Sequence, residues 1–201
     1  MPRDGTATRE RIVEAAVDLV IERGFRATTV EAVIGAAKTS KGAFFHHFAS
    51  KQALADALVE YYVAGDLAML DRGLAVASGY DDPVDRAVGF LAHFEGIADE
   101  IMAGTTGCLY TSVLAEMGLI ESGTSDPIAR AVALWREGCA GLLRDALGAR
   151  AATVDVDALA DHLFVTFEGA FLLARSTGEP EHLRRQLAVL RSLVESLLRR
   201  P

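Results

Sequence analysis

"KTSKGAFFHHFASK", residues 38–51, decides how this chain is read. These positions hold all three lysines of the protein, Lys38, Lys41 and Lys51, with two adjacent histidines and three phenylalanines. The surrounding chain is acidic, with a net charge of −8 over 201 residues. Residues 1–51 carry eight basic and six acidic residues, a net +2; the remainder carries twelve and twenty-two, a net −10. An acidic protein with one confined basic segment is suited to meeting a polyanion through that segment alone.

Working outward, Ser40 can cap a short helix "KGAFFHHF", and Ser50 a long one that begins "KQALADALVEYY". Upstream, "RERIVEAAVDLVIERG" places Ile12, Ala16, Leu19 and Val20 on one helical face. Glu10, Glu14, Asp18 and Glu22 fall away from that face, and Gly24 stands at the C-terminal stop. Between these lies "TTVEAVIGAA", where Thr28 and Glu31 have capping-box spacing ahead of about two helical turns. Long helix, short helix, tight turn and short helix is the order of a helix-turn-helix, in which the later short helix enters the major groove.

Beyond residue 65 the pattern is that of a bundle. Asp82–Pro83 and Asp126–Pro127 each read as an N-cap followed by a first helical proline, and Gly178 with Pro180 marks a stop and restart. Helices are expected at 83–101, 106–119, 127–148, 155–177 and 180–199. A chain 51% hydrophobic with only five prolines suits an all-α fold. The division expected is a helix-turn-helix domain over 1–50 and a helical bundle over 51–201. No run reaches membrane-spanning length, and the N-terminus "MPRDGTATRE" has no apolar signal segment. A cytoplasmic protein with no membrane partner is expected, its two cysteines, Cys108 and Cys139, being reduced thiols.

The stretches "ERIVEAAVDLVIERGF", "TTVEAVIGAA" and "SKGAFFHHFASKQAL" together resemble the DNA-binding domain of the TetR family of bacterial transcriptional regulators. The resemblance implies an all-α homodimer with an N-terminal three-helix DNA-binding domain and a C-terminal ligand-binding and dimerisation bundle. It implies a repressor of a palindromic double-stranded DNA operator, released by a small-molecule effector. The implied DNA-binding set is Thr28, Thr29, Lys38, Thr39, Ser40, Lys41, Gly42, Ala43, Phe45, His46, His47 and Lys51. Two residues depart from the family. Lys38 stands where glycine is usual at a left-handed turn, and Phe45 stands where a tyrosine hydroxyl commonly bonds a phosphate.

The chemistry of these residues fits that assignment. Lys41 can reach a guanine edge or a phosphate, Gly42 allows close backbone approach, and Ala43 offers a methyl to thymine. His46, His47 and Lys51 can donate to phosphates. Phe44 and Phe48, one turn apart, share a face and anchor the helix. Adjacent histidines point about 100° apart on a helix, so no metal site is expected there, and no cofactor is expected anywhere.

Phe90, Phe94, Met102, Cys108, Tyr110, Trp135, Phe164, Phe167 and Phe171 are either candidate lining for an apolar effector site or plain core. Cys108 and Cys139 are read as buried thiols, with a sensing role as the alternative. Leu183, Leu187, Leu190, Val194 and Leu197 repeat at 4, 3, 4, 3, and Gly169 with Ala170 permits close helix approach. These residues are the expected dimer interface, with burial inside one bundle as the alternative. An enzyme is not expected, since no nucleophile elbow, HExxH, P-loop or dinucleotide loop occurs. The competing reading is a helix-bundle interaction module that no longer binds DNA.

Overall fold

The computed structural model describes residues 5–104 and 107–200, and only the backbone of Met117. Among the described residues ten α-helices follow in order: α1 Gly5–Arg23, α2 Val30–Ala36, α3 Lys41–His47, α4 Lys51–Ala77 and α5 Pro83–Gly104, then α6 Leu109–Leu114, α7 Met117–Glu121, α8 Asp126–Leu147, α9 Val156–Thr177 and α10 His182–Leu198. A 3-10 segment, Gly148–Thr153, links α8 to α9. No strand occurs among the described residues.

Most boundaries are set by local chemistry. Gly24 ends α1 at φ 84°, and Gly178 ends α9 at φ 77°, both in the left-handed region that glycine enters without strain. Ser40 Oγ accepts from the Ala43 amide at 3.1 Å, and Ser50 Oγ from Ala53 at 3.1 Å. Asp82 Oδ1 accepts from Val84 and Asp85 at 2.8 and 3.0 Å, ahead of Pro83.

Four expectations are corrected. The cap of α2 is Thr29, whose hydroxyl accepts from Ala32 at 3.1 Å; Thr28 instead donates its hydroxyl to the Gly24 carbonyl at 2.8 Å. Asp126 is the first residue of α8, not its cap, and the Ser125 carbonyl accepts from Ile128 and Ala129. The helix expected over 106–119 is two short ones, broken where Glu116 turns to extended backbone; its expected start, Thr106, lies outside the described residues. The last helix begins at His182, two residues after Pro180.

The chain forms two compact units. Unit 1 is Met1–Gly65 with Gly107–Arg130, and unit 2 is Asp66–Thr106 with Ala131–Pro201. The cut expected after residue 50 falls inside unit 1, which also takes back residues 107–130.

In unit 1, α1 packs on α2, α3 and α6. Ile12, Val13, Ala16 and Val20 of α1 are buried, as are Val33, Phe44, Phe48, Leu54 and Leu58. In unit 2, α10 packs along α5 and α9 around a core containing Phe90, Phe94, Leu183 and Leu187. Arg191–Glu95, Arg184–Asp99 and Arg199–Asp85 pair α10 with α5 at 2.6, 3.2 and 2.7 Å. Gly73 lets α4 approach α5: a Cβ there would meet the Phe94 ring at 2.7 Å and the Phe90 ring at 2.9 Å.

Candidate DNA-binding surface

The third helix has two unlike sides. Phe44 is fully buried and Phe48 nearly so, with ring centroids 5.8 Å apart, and Arg9 lies 5.3 Å over the Phe48 ring. On the opposite side Lys41, Gly42, Phe45 and His46 are exposed. These are positions i, i+1, i+4 and i+5, so they form one contiguous face. Ala43 and His47 are half-buried at its edges, and the His47 ring lies beside Gly5. A Cβ on Gly42 would meet nothing nearer than Ser40 Oγ at 4.0 Å. The absent side chain is therefore not demanded by packing inside the protein.

The turn leading into this helix carries a backbone strain. Lys38 has φ 49° and is exposed, so a lysine does occupy the left-handed position where the family uses glycine. That conformation costs an L-residue about 1 kcal/mol. Thr39 is half-buried, and Ser40 and Thr29 are exposed with their hydroxyl oxygens already engaged as caps.

Two of the expected DNA contacts are redirected. Thr28 is buried, its hydroxyl committed to the end of α1. Lys51 points its ammonium back into the protein, donating to the carbonyls of Phe25 at 2.7 Å and Arg26 at 3.4 Å and lying 4.3 Å from the centre of the Phe25 ring. Burial lowers its pKa from 10.5, partly offset by the Glu116 carboxylate. The ammonium therefore fastens the α1–α2 turn to the start of α4 and does not project toward a phosphate.

That turn has a second fastening that sequence reading missed. Glu116 Oε1 accepts from the Arg26 amide at 3.0 Å. Nearby in sequence, Thr124 is buried; its hydroxyl donates to Asp56 Oδ1 at 2.6 Å and accepts from Gln52 Nε2 at 2.5 Å. The returning segment 107–130 is thus bonded to the α1–α2 turn and to the first turns of α4. Partners 68 to 90 residues apart leave no local pattern to find.

The expected effector-lining residues come together only in part. Phe90, Phe94, Trp135 and Phe167 form one aromatic cluster in unit 2, with centroids 5.0 to 6.4 Å apart. Trp135 Nε1 donates to Asp66 Oδ2 at 2.9 Å. Met102 packs against the same core, Phe171 is buried and Phe164 half-buried. Cys108 and Tyr110 are buried in unit 1, Tyr110 against Tyr62 at 5.4 Å. Of the expected set, only Phe90 lines the cavity of about 20 Å³ found in unit 2. Its other walls include Leu91, Cys139, Leu143, Leu163 and Val194. Burial pushes the Cys139 thiol up to about 12, which disfavours the reactive thiolate at neutral pH.

The expected dimer seam is also reassigned. Leu183, Leu187, Leu190 and Val194 are buried in the protomer's own core, as is Ala170, and Leu197 is half-buried. The four buried side chains have little surface left to offer a partner, whereas Leu197 keeps part of its own. The exposed apolar side chains of α9 and α10 are Val165, Leu172 and Leu173, then Val189 and Leu193, with Gly169 exposed among the first group.

Comparison with known proteins agrees with this architecture. Residues 12–58 match the family described as bacterial regulatory proteins, tetR family, and residues 83–190 match the tetracyclin repressor-like C-terminal domain. The chain is 29% identical to the transcriptional regulator AcuR of Cereibacter sphaeroides, covering 90% of this chain and 82% of that protein. It is 24% identical to the HTH-type transcriptional repressor DhaR of a Mycobacterium species, covering 92% and 91%. Among solved structures, a TetR transcriptional regulator from Chloroflexus aurantiacus superposes with a TM-score of 0.74 at 28% identity, covering 96% of each chain. A regulatory protein TetR from Rhodobacter sphaeroides superposes at 0.73 with 25% identity, covering 91% and 96%. The chain belongs to the TetR family and is a ligand-responsive, DNA-binding transcriptional regulator, not an enzyme.

Proposed function

We propose that the protein is a homodimeric repressor that reads a palindromic operator through α3 and is released by a small, largely apolar molecule bound in unit 2. The observation that carries the reading is the face of α3. Lys41, Gly42, Phe45 and His46 are exposed together, while Phe44 and Phe48 fix the helix that bears them. This cationic face sits in the one stretch that holds every lysine of an acidic chain. Lys41 supplies a base-edge or phosphate contact, His46 and His47 supply phosphate contacts, and Gly42 admits close approach.

The partner-facing surface in this reading is the stripe of Val165, Gly169, Leu172, Val189 and Leu193, which leaves apolar area uncovered in the protomer. The effector site is read as the apolar core of unit 2. Its cavity of about 20 Å³ holds little more than one water-sized body, so an effector must open it. A ligand that binds the opened state better shifts the protein toward that state by its differential affinity.

Selection of duplexes from a random pool at near-physiological salt tests the reading. Enrichment of a palindrome with half-sites one helical turn or a multiple apart is expected. Affinity for it should fall steeply with added salt. A folded, dimeric protein that enriches nothing under these conditions would overturn the proposal.

A further inference from the structure

We infer that Phe45 is a base-reading residue, selecting thymine through contact of its ring with the 5-methyl group. The inference rests on the reading of α3 as the DNA-facing helix. Phe45 is 45% exposed, whereas its neighbours Phe44 and Phe48 are buried. Its ring is not loose: it stands edge-on against Phe44, with centroids 5.2 Å apart and planes at 82°. Phe44 in turn packs on Phe48. An apolar ring is therefore held outward, one turn beyond Lys41 and beside Gly42, in the middle of a face that is otherwise polar or bare.

A phenylalanine offers no hydrogen bond to a phosphate or to a base edge, so its gain in a groove comes from apolar surface alone. The walls of the major groove are donors and acceptors, except for the C5-methyl of thymine. Gly42 presents no side chain that would hold the helix away from the groove floor, and its own packing does not require glycine. The ring therefore favours a thymine at one position of each half-site. Packing against deoxyribose, which carries no sequence information, is the outcome that contradicts this.

The test replaces single thymines of the selected operator by deoxyuridine. This removes only the methyl group and leaves every hydrogen-bonding atom in place. For the natural protein, one thymine per half-site should be sensitive, losing about fourfold in affinity, the effect of one buried methyl. Changing both half-sites should lose about fifteenfold on the same basis. Phe45→Ala, whose fold is checked by circular dichroism, should bind both duplexes equally; Phe45→Leu should keep part of the discrimination. If every deoxyuridine duplex binds the natural protein like the parent, or if Phe45→Ala retains the full loss, the methyl-reading role is overturned. If the unmodified operator shows no salt-dependent binding at all, the DNA-facing assignment of α3 falls first and takes this inference with it.

Discussion

Truncating Leu172 or Leu193 to alanine tests which apolar stripe joins two protomers. Leu172 is 69% exposed and Leu193 65% in the protomer. Complete burial of a leucine side chain contributes about 1.5–3 kcal/mol, so covering the exposed part of either contributes about 1–2 kcal/mol. A two-fold interface counts each residue twice. One substitution should therefore weaken the dimer by about 2–4 kcal/mol, raising Kd by about 30- to 700-fold. The protomer's own fold should change by no more than about 0.5 kcal/mol, as for other surface positions.

Leu187→Ala is the matched control. Leu187 is 0% exposed inside the unit 2 core. Its truncation leaves a cavity that costs about 2–5 kcal/mol of folding stability, while the exposed stripe is untouched. Sedimentation equilibrium over a dilution series gives Kd, and melting followed by circular dichroism gives stability. Melts must be compared at one protein concentration, because association itself raises the midpoint. Parent-like Kd values for both Leu172→Ala and Leu193→Ala would refute the reasoning. Dissociation of Leu187→Ala with no loss of stability would return the interface to Leu183, Leu187, Leu190 and Val194.

Lys41→Ala should lower the slope of log affinity against log salt by about one unit. Lys51→Met should leave that slope unchanged in DNA titrations, yet lower the melting midpoint, because it deprives the Phe25 and Arg26 carbonyls of their donor. Lys38→Gly should stabilise in denaturant unfolding by up to about 1 kcal/mol, the release of the left-handed backbone less the entropy that glycine adds to the unfolded chain, and a clear loss of stability would mean that the turn is not strained. Cys139, raised from 9.0 to about 12, should resist alkylation in the native protein at pH 8 and react in denaturant; modification of the folded state would show access that the burial denies. Because the unfolded thiol ionises first, its contribution to stability is complete below pH 9 and is lost progressively as pH rises toward 12.

Helix ends were legible because caps and stops are local in sequence. Ser40, Ser50 and Asp82 cap within three residues of the amides they bind, and Gly24 and Gly178 supply the stops. The misread cap shows the limit of that logic. Thr28–Glu31 had the right spacing, but the Thr28 hydroxyl was already claimed by the Gly24 carbonyl, which left the cap to Thr29. The seam of Leu183, Leu187, Leu190 and Val194 was read correctly as a buried stripe and wrongly as a shared one. Periodicity reports that a face is covered and says nothing of what covers it. The stripe left exposed on α10, Val189 and Leu193, has the same four-residue step but is flanked by Gln186 and Ser196, which hides it from a heptad search.

Because residues 107–130 return to unit 1, the chain passes between the residues of the two units three times. Both α4 and α8 pass from one unit's residues to the other's without a break, at 65–66 and 130–131. Between Gly107 and Arg130 the side-chain bonds to the rest of unit 1 include Glu116 to the Arg26 amide, Thr124 to Gln52 and Asp56, and Tyr62 to Cys108, beside the packing of α6 on α1. Arg26 belongs to the turn between α1 and α2 that Lys51 also fastens. Each such bond contributes about 1 kcal/mol, and allosteric coupling between sites amounts to about 1–3 kcal/mol. Losing two or three of them is therefore of the size a derepression needs. The buried contacts of α1 with α2 and α3 are far larger in sum and need not change. The bonds of Glu116 and Thr124 are thus of the size of an allosteric coupling, while the burial of Leu109, Tyr110 and Val113 in unit 1 holds the same segment by apolar packing as well.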